Sequence, residues 1–231
     1  MSLDQKRARV FGVLYLITFA TSIPALLLYQ PVLDDPVGYI AGAGHDKRVL
    51  FGAFLELLLI IANIGTAVVI VPIMWRRYKE LSIGYVAARI VECTFILVGI
   101  LAVLAIITLR NQDAGASEGT LAYTLAAIKD WTFLLGPGWV VGWGNGLILG
   151  YMMYRSQLVP RPWPWLGMIG GPLLVLTGTL ILFGGNDPSS SLRSLQGLAT
   201  IPEAAWELFL GVYCTIWGFR QSAPILQPDA R

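Results

Sequence analysis

Six long apolar runs constrain the fold of this chain more than any other feature of its sequence. They cover residues 10–29, 50–75, 83–109, 131–154, 165–183 and 199–219. Each is close to the roughly 20 residues that an α-helix needs to cross a bilayer core of about 30 Å. Membrane β-strands are shorter and alternate in polarity, whereas these runs are continuously apolar. The sequence predicts an all-α integral membrane protein, a bundle of six transmembrane helices.

The composition agrees with a surface that faces lipid. Hydrophobic residues make up 56% of the chain and charged residues 13%, about half the share usual in soluble domains. A net charge of +2 indicates no polyanionic partner, so nucleic-acid binding is not expected and the bilayer is the expected surrounding. The connections between the runs are too short for a core of their own, so residues 1–231 are predicted to form one membrane domain.

Lysine and arginine are unevenly shared between the two sets of loops. With six crossings both termini lie on one side, and that side carries ten of the 16 Lys and Arg residues. The opposite side carries five, namely Lys47, Arg48, Arg110, Lys129 and Arg193. Because cytoplasmic loops are enriched in basic residues, both termini are predicted to be cytoplasmic.

Five ionisable residues fall inside the predicted spans, namely Glu56, Arg89, Glu92, Glu203 and Glu207. Insertion of Asp, Lys or Arg at the centre of a spanning helix costs about 2.5–3.5 kcal/mol, and we expect a similar cost for Glu. The rise of a helix puts Glu56, Glu92 and Glu207 at depths that allow one shared site in the outer half of the membrane, with Glu203 about one turn shallower.

Two amides also lie within the spans. Asn63 follows Glu56 by seven residues, a spacing that returns to the same side of a helix, and Asn145 lies near the middle of the fourth run. Both are candidate members of the site. Amides in membrane helices also bind neighbouring helices together, so that alternative stays open.

Four glycines recur at intervals of four in the fourth run: Gly138, Gly142, Gly146 and Gly150. Such a stripe allows a neighbouring helix to approach closely. We expect close packing here, with the lining of a ligand or permeation path as the alternative.

The buried charges do not balance. Four carboxylates and one guanidinium would total −3 if all were ionised, which is unfavourable in a low-dielectric enclosure. A salt bridge from Arg89 to Glu92 or Glu56, a protonated Glu, a wet cavity, or a bound cation could each contribute. A purely structural ion-pair network is the alternative to a ligand, proton or reaction site.

Several kinds of chemistry have no candidate residues. His45 is the single histidine, in a predicted outer loop, so no metal site is expected. Cys93 and Cys214 are expected to be small packing residues within spans. No nucleotide-binding or nucleophile motif is present in the sequence, so no cofactor is predicted.

Several short motifs resemble a bacterial family of small six-span membrane proteins that carries an unknown-function label. They include residues 12–16 (GVLYL), 55–57 (LEL), 84–92 (GYVAARIVE), 159–161 (VPR) and 202–207 (PEAAWE). The resemblance covers nearly the whole chain. It implies a six-span architecture in the bacterial inner membrane, and it implies no reaction.

The leading hypothesis is a cavity that binds or transports a small amphipathic or cationic molecule, with proton coupling as one form of it. One alternative is a membrane-embedded enzyme for a lipid-soluble substrate, with Glu as general acid or base and Arg89 holding an anionic group. Another is a structural or regulatory membrane subunit.

Overall fold

The computed structural model describes residues 1–42, 46–111, 118–184 and 190–227. All regular structure in these ranges is helical. The α-helices are α1 (Leu3–Leu33), α2 (Pro36–Ala41), α3 (Asp46–Met74), α4 (Lys79–Arg110), α5 (Glu118–Phe133), α6 (Gly150–Ser156), α7 (Pro164–Gly184) and α8 (Ser191–Ile216). Between α5 and α6 the chain continues through two π-helical stretches, Leu134–Val140 and Gly142–Leu149.

Five helical segments are long and apolar enough to cross a membrane. They are α1, α3, α4, the continuous segment Glu118–Ser156 and α7. They contain the first five predicted runs, except that α3 ends at Met74, one residue before the end of the second run, so the expectation of a helical membrane protein is confirmed at this level. The sixth run lies largely in α8, which has 26 residues but is less apolar because it contains Glu203 and Glu207.

Helix starts follow local capping signals. The side chain of Ser2 accepts a hydrogen bond from the backbone N–H of Gln5, and Ser190 does the same for Arg193 at the start of α8. These bonds satisfy N–H groups that have no partner inside the helix.

The fourth spanning segment begins earlier than its apolar run indicated. Residues 118–130 are helical, although their polar composition had suggested a loop before residue 131. Ala122 and Ala126, four residues apart, are buried on the side of α5 that packs against α4. Tertiary packing of a short apolar face therefore extends the helix beyond the run that hydropathy identifies.

The glycine stripe packs mainly against α7. A Cβ added at Gly142 would lie 2.6 Å from the carbonyl oxygen of Gly171, and one added at Gly146 would lie 2.8 Å from that of Gly167. Gly150 also faces α7, whereas Gly138 faces α8 and lines the cavity described below. The packing interpretation thus fits three of the four glycines.

The start of α1, the residues that follow α8 and two turns meet at one end of the bundle, which we call the terminal end. Three contacts join them: Asp4 with Arg76, the amide of Gln5 with the carbonyl of Phe219, and the N–H of Arg220 with the carbonyl of Leu158. An apolar cluster that includes Phe11, Ile70 and Trp206 fills this end, and a second around Tyr29 and Ile106 fills the other. The polar residues of the spans lie between these clusters.

Candidate functional site

A cavity of about 450 Å³ lies among α1, α3, α4, the segment Glu118–Ser156 and α8. Six of the seven residues predicted from the sequence line it: Glu56, Asn63, Arg89, Glu92, Glu203 and Glu207. The seventh, Asn145, does not line the cavity but hydrogen-bonds to Glu207. The residues chosen for their cost in a membrane therefore converge on one region of the fold.

Arg89 and Glu92 form a buried ion pair on one face of α4. The guanidinium Nη1 lies 2.7 Å from Glu92 Oε2. The other carboxylate oxygen, Oε1, accepts a hydrogen bond of 3.0 Å from Asn63 Nδ2 on α3. Asn63 therefore both links α3 to α4 by a hydrogen bond and forms part of the cavity wall.

The remaining donors of Arg89 point to two tyrosines. Arg89 Nη2 donates to Tyr15 OH at 2.9 Å, and Nε donates to Tyr85 OH at 3.2 Å. The two hydroxyls are 3.1 Å apart, and both rings are fully buried. Each ring also lies within 6 Å of the guanidinium carbon, at 5.4 and 5.7 Å, a cation–π distance. These contacts fix Arg89 in the wall of the cavity.

Glu56 is neutralised by Lys129, a residue that we had assigned to an outer loop. Lys129 Nζ lies 2.7 Å from each carboxylate oxygen of Glu56, and Tyr29 OH donates to Oε2 at 2.9 Å. The loop assignment was wrong. The adjacent charges of Lys129 and Asp130 indicated a solvent-exposed segment, but Lys129 lies in α5 and its side chain is buried inside the bundle. Lys129 lies three residues after Ala126 and three before Thr132, which places it on the buried face of α5.

Glu207 has an amide partner and no cationic one. Its Oε1 accepts a hydrogen bond from Asn145 Nδ2, and the backbone carbonyl of Asn145 accepts one from Trp206 Nε1 at 3.2 Å. Asn145 is almost fully buried, so it orients the Glu207 carboxylate from behind the cavity wall. No ion pair to Glu207 occurs within the described ranges.

Glu203 has the fewest described hydrogen-bond partners of the site's carboxylates. It is only 2% exposed, yet neither of its carboxylate oxygens has a hydrogen-bond partner among the described residues. One oxygen, Oε2, would lie 2.9 Å from a Cβ placed on Gly146, so it faces the backbone of the π-helical stretch. A buried ionised group without a partner is strongly unfavourable.

The charges of the site therefore divide into two groups. Glu92 with Arg89 and Glu56 with Lys129 are ion pairs. Asn63 and Tyr29 donate further hydrogen bonds to the two carboxylates, and Arg89 donates to the hydroxyls of Tyr15 and Tyr85. Glu203 and Glu207 remain without a described Lys or Arg partner. Lys129 reduces the formal imbalance of the five residues counted from the sequence from −3 to −2, and the two carboxylates left over lie on α8; Arg193, which also lines the cavity, is 4.0 Å from Asp130.

The rim of the cavity is mostly apolar. The most exposed large side chains of its lining are Ile23 at 55%, Leu26 at 46% and Phe133 at 44%. Ile23 and Leu26 belong to α1, the neighbour of α8. A molecule with an apolar portion can therefore contact the rim while a polar group reaches the carboxylates.

Two polar residues of the lining were not among our candidates. Arg193 and Gln196 in the first two turns of α8 line the cavity, whereas we had counted Arg193 as a loop residue. They precede the apolar run at 199–219, so hydropathy alone could not assign them to the bundle. Their spacing from Glu203, ten and seven residues, was the available signal.

A metal site in the described ranges would need several ligating side chains close together. No three side chains of the types His, Cys, Asp and Glu converge there in a way that could hold a metal ion. Cys93 and Cys214 are free thiols and buried, as expected of packing residues. His45 lies outside the described residues.

Comparison with known proteins identifies the family. A family model described as "Domain of unknown function (DUF4386)" matches residues 10–218. The chain therefore belongs to this family, and the resemblance to a family of unknown function is confirmed. No curated protein and no solved structure gives a significant match to the chain.

Proposed function

We propose that this protein binds a small amphipathic cation in the cavity, with the cationic group at Glu203 and Glu207. The observation that carries the proposal is the lack of a described cationic partner for these two carboxylates, whereas Glu56 and Glu92 each have one. A ligand cation would supply the missing charge. It would also give hydrogen-bond donors to the two oxygens of Glu203.

The size and lining of the cavity support a ligand with an apolar part. Its volume of about 450 Å³ lies within the range of roughly 300–1,000 Å³ for small-molecule sites. Apolar side chains such as Phe19, Ile23 and Phe133 alternate with a few polar groups. An alkyl or aromatic portion would bury this surface, with about 25 cal/mol of stabilisation for each Å² removed from water.

A proton is the natural occupant of the site when the ligand is absent. Two carboxylates on adjacent turns of α8, both facing a low-dielectric cavity, repel each other if both are ionised. Binding of a cation would then release a proton, and such an exchange is the elementary step of proton-coupled transport. Transport adds to binding the requirement that the cavity open alternately to each side of the membrane.

For the membrane arrangement we propose six crossings, with α8 as the sixth. The start of α1 and the residues that follow α8 meet the α3–α4 and α6–α7 turns at the terminal end, which supports an even number of crossings. We propose that this end is cytoplasmic, because it carries most of the basic loop residues. The cavity then lies in the outer half of a bacterial inner membrane.

The enzyme and subunit alternatives have weaker support. An enzyme in which Arg89 holds an anionic substrate needs an unpaired positive charge there, but Glu92 already neutralises that guanidinium, whose three nitrogens also each donate a hydrogen bond inside the protein. A subunit that docks through an exposed glycine stripe needs that stripe to be free. Three of its glycines already pack against α7.

Calorimetric titration of the protein in lipid nanodiscs tests the proposal. The probes are octylamine, octanol and octanoate, which share one chain and differ in charge, and empty nanodiscs correct for partitioning. We expect saturable binding of octylamine, weaker binding of octanol and still weaker binding of octanoate. Glu203→Gln should weaken octylamine binding by about tenfold, equivalent to 1.4 kcal/mol.

Glu80→Gln is the matched control, since Glu80 is exposed in the first turn of α4. It removes the same charge from the protein without touching the cavity. Equal binding of the three probes, or equal effects of the two substitutions, would overturn the proposal.

A further inference from the structure

We propose that the ligand of the cavity is dipolar, with an ammonium group at Glu203 and Glu207 and an anionic oxygen group at Arg193 and Gln196. This inference rests on the proposed function and adds a second recognised group to it. It follows from how charge is distributed along α8.

The cavity-facing residues of α8 form one stripe. They recur every three or four positions, as expected for a single face of a helix. They are Arg193, Gln196, Gly197, Thr200, Glu203, Ala204 and Glu207. The charge changes sign along the stripe, from Arg193 in the first turn to the two carboxylates three to four turns further on. The site is therefore polarised along the axis of α8.

Arg193 has donors available for a ligand. Its Nε has no hydrogen-bond partner among the described residues, and its side chain is 19% exposed. The nearest described carboxylate is that of Asp130, with Oδ2 4.0 Å from Nη2, which is beyond hydrogen-bond distance. Asp130 is itself half exposed, so water screens this contact. Arg193 thus differs from Arg89 and Lys129, each of which forms a close, buried ion pair with a glutamate.

Gln196 supplies a second donor beside Arg193. The residue is 92% buried and lines the cavity. Its Nε2 would lie 2.8 Å from a Cβ placed on Gly138, so the amide rests against the backbone of the π-helical stretch. The first turn of α8 adds the partial positive charge of a helix N-terminus to the same end. Together these groups favour an anion.

The spacing sets the expected length of the ligand. Gln196 and Glu203 are seven residues apart, which is about 10 Å along an α-helix. Phe19, Ile23 and Phe133 line the cavity and can contact an apolar linker. A short alkyl chain with an amine at one end and an oxyanion at the other fits this pattern of charge and apolar surface.

Titration of nanodiscs with ω-aminooctanoate tests the inference, because this probe has the chain of octylamine plus a terminal carboxylate. Wild-type protein should bind ω-aminooctanoate at least about tenfold more tightly than octylamine. Arg193→Gln should remove this margin, so that the variant binds ω-aminooctanoate and octylamine with similar affinity, whatever the variant's own affinity for octylamine. Arg193→Lys should keep part of the margin, and the exposed Arg9→Gln should keep all of it.

The possible outcomes separate this inference from the proposed function. If octylamine fails to bind wild-type protein, the proposed function is overturned and the dipolar ligand with it. If octylamine binds but ω-aminooctanoate binds no more tightly, only the dipolar ligand is overturned. A margin that persists in Arg193→Gln also overturns it, because Arg193 is then not the group that recognises the anion.

Discussion

Lys129 Nζ on α5 lies 2.7 Å from both carboxylate oxygens of Glu56 on α3, and both side chains are at least nine-tenths buried. Tyr29 completes the arrangement with a hydrogen bond from α1 to the same carboxylate. The ion pair and the hydrogen bond from Tyr29 therefore link α1, α3 and α5 next to the cavity. Its loss would leave one charge buried without a counter-ion.

Lys129→Met is expected to lower the free energy of unfolding by about 3–5 kcal/mol, because it leaves Glu56 as an unpaired buried charge. The double variant Lys129→Met with Glu56→Leu should recover most of this loss, since no charge remains to be compensated. Unfolding in mixed detergent–SDS micelles measures both. Lys47→Met, at an exposed position of α3, is the control. A double variant as unstable as the single one would contradict the ion-pair account.

Asn63 offers a second test of the wall of the cavity. Asn63→Leu removes the donor to Glu92 Oε1 and should cost about 1–3 kcal/mol of stability, the usual penalty for an unsatisfied buried acceptor. Asn63→Asp should cost more, because it adds a second carboxylate beside Glu92. The same micelle unfolding assay measures the stability of the two variants relative to wild-type protein. Equal stability of the Leu and Asp variants would show that the side chain at residue 63 does not interact with the Glu92 carboxylate.

Close packing of the π-helical stretch predicts opposite effects of one substitution at two glycines. Gly146→Ala places a Cβ within 3 Å of backbone atoms of α7 and should destabilise by about 1–3 kcal/mol. Gly197→Ala has no atom within 4 Å of the new Cβ and lies inside α8, so it should stabilise by about 0.5–1 kcal/mol. Loss of stability in both variants would argue against the packing of the segment Glu118–Ser156 on α7.

Glu203→Gln should increase stability while it weakens ligand binding. The substitution keeps the shape of the side chain and removes a carboxylate that has no described partner. We expect a gain of about 0.5–2 kcal/mol, the range typical of stabilising substitutions, because functional groups are often held at a cost to stability. Glu92→Gln is the comparison, since it breaks an ion pair and should destabilise. A destabilised Glu203→Gln protein would mean that Glu203 has a structural partner.

Most of the fold and part of the site could be predicted from the sequence. The length of the apolar runs identified the spanning helices, since a helix must be about 20 residues long to cross the bilayer. The cost of a charge in a membrane singled out Glu56, Arg89, Glu92, Glu203 and Glu207. Six of the seven candidates line one cavity.

The pairing of these residues could not be predicted in the same way. Spacing gives the face of a helix but not the neighbour that this face meets, which depends on how each helix is rotated in the bundle. The choice of Glu92 rather than Glu56 as the partner of Arg89 was therefore open. Lys129 was missed because it was placed in an outer loop, and Tyr29 was given no role because nothing in its spacing links it to Glu56.

Photolabelling locates the ligand and so tests the central claim most directly, namely that Glu203 and Glu207 receive a cation. The probe is an alkylamine with a diazirine next to the ammonium group, irradiated with the protein in nanodiscs and mapped by mass spectrometry. We predict labelling of the α8 peptide that contains Glu203 and Glu207, competition by octylamine but not by octanoate, and loss of the label in Glu203→Gln/Glu207→Gln. Labelling confined to lipid-facing residues, or unaffected by octylamine, would contradict the account.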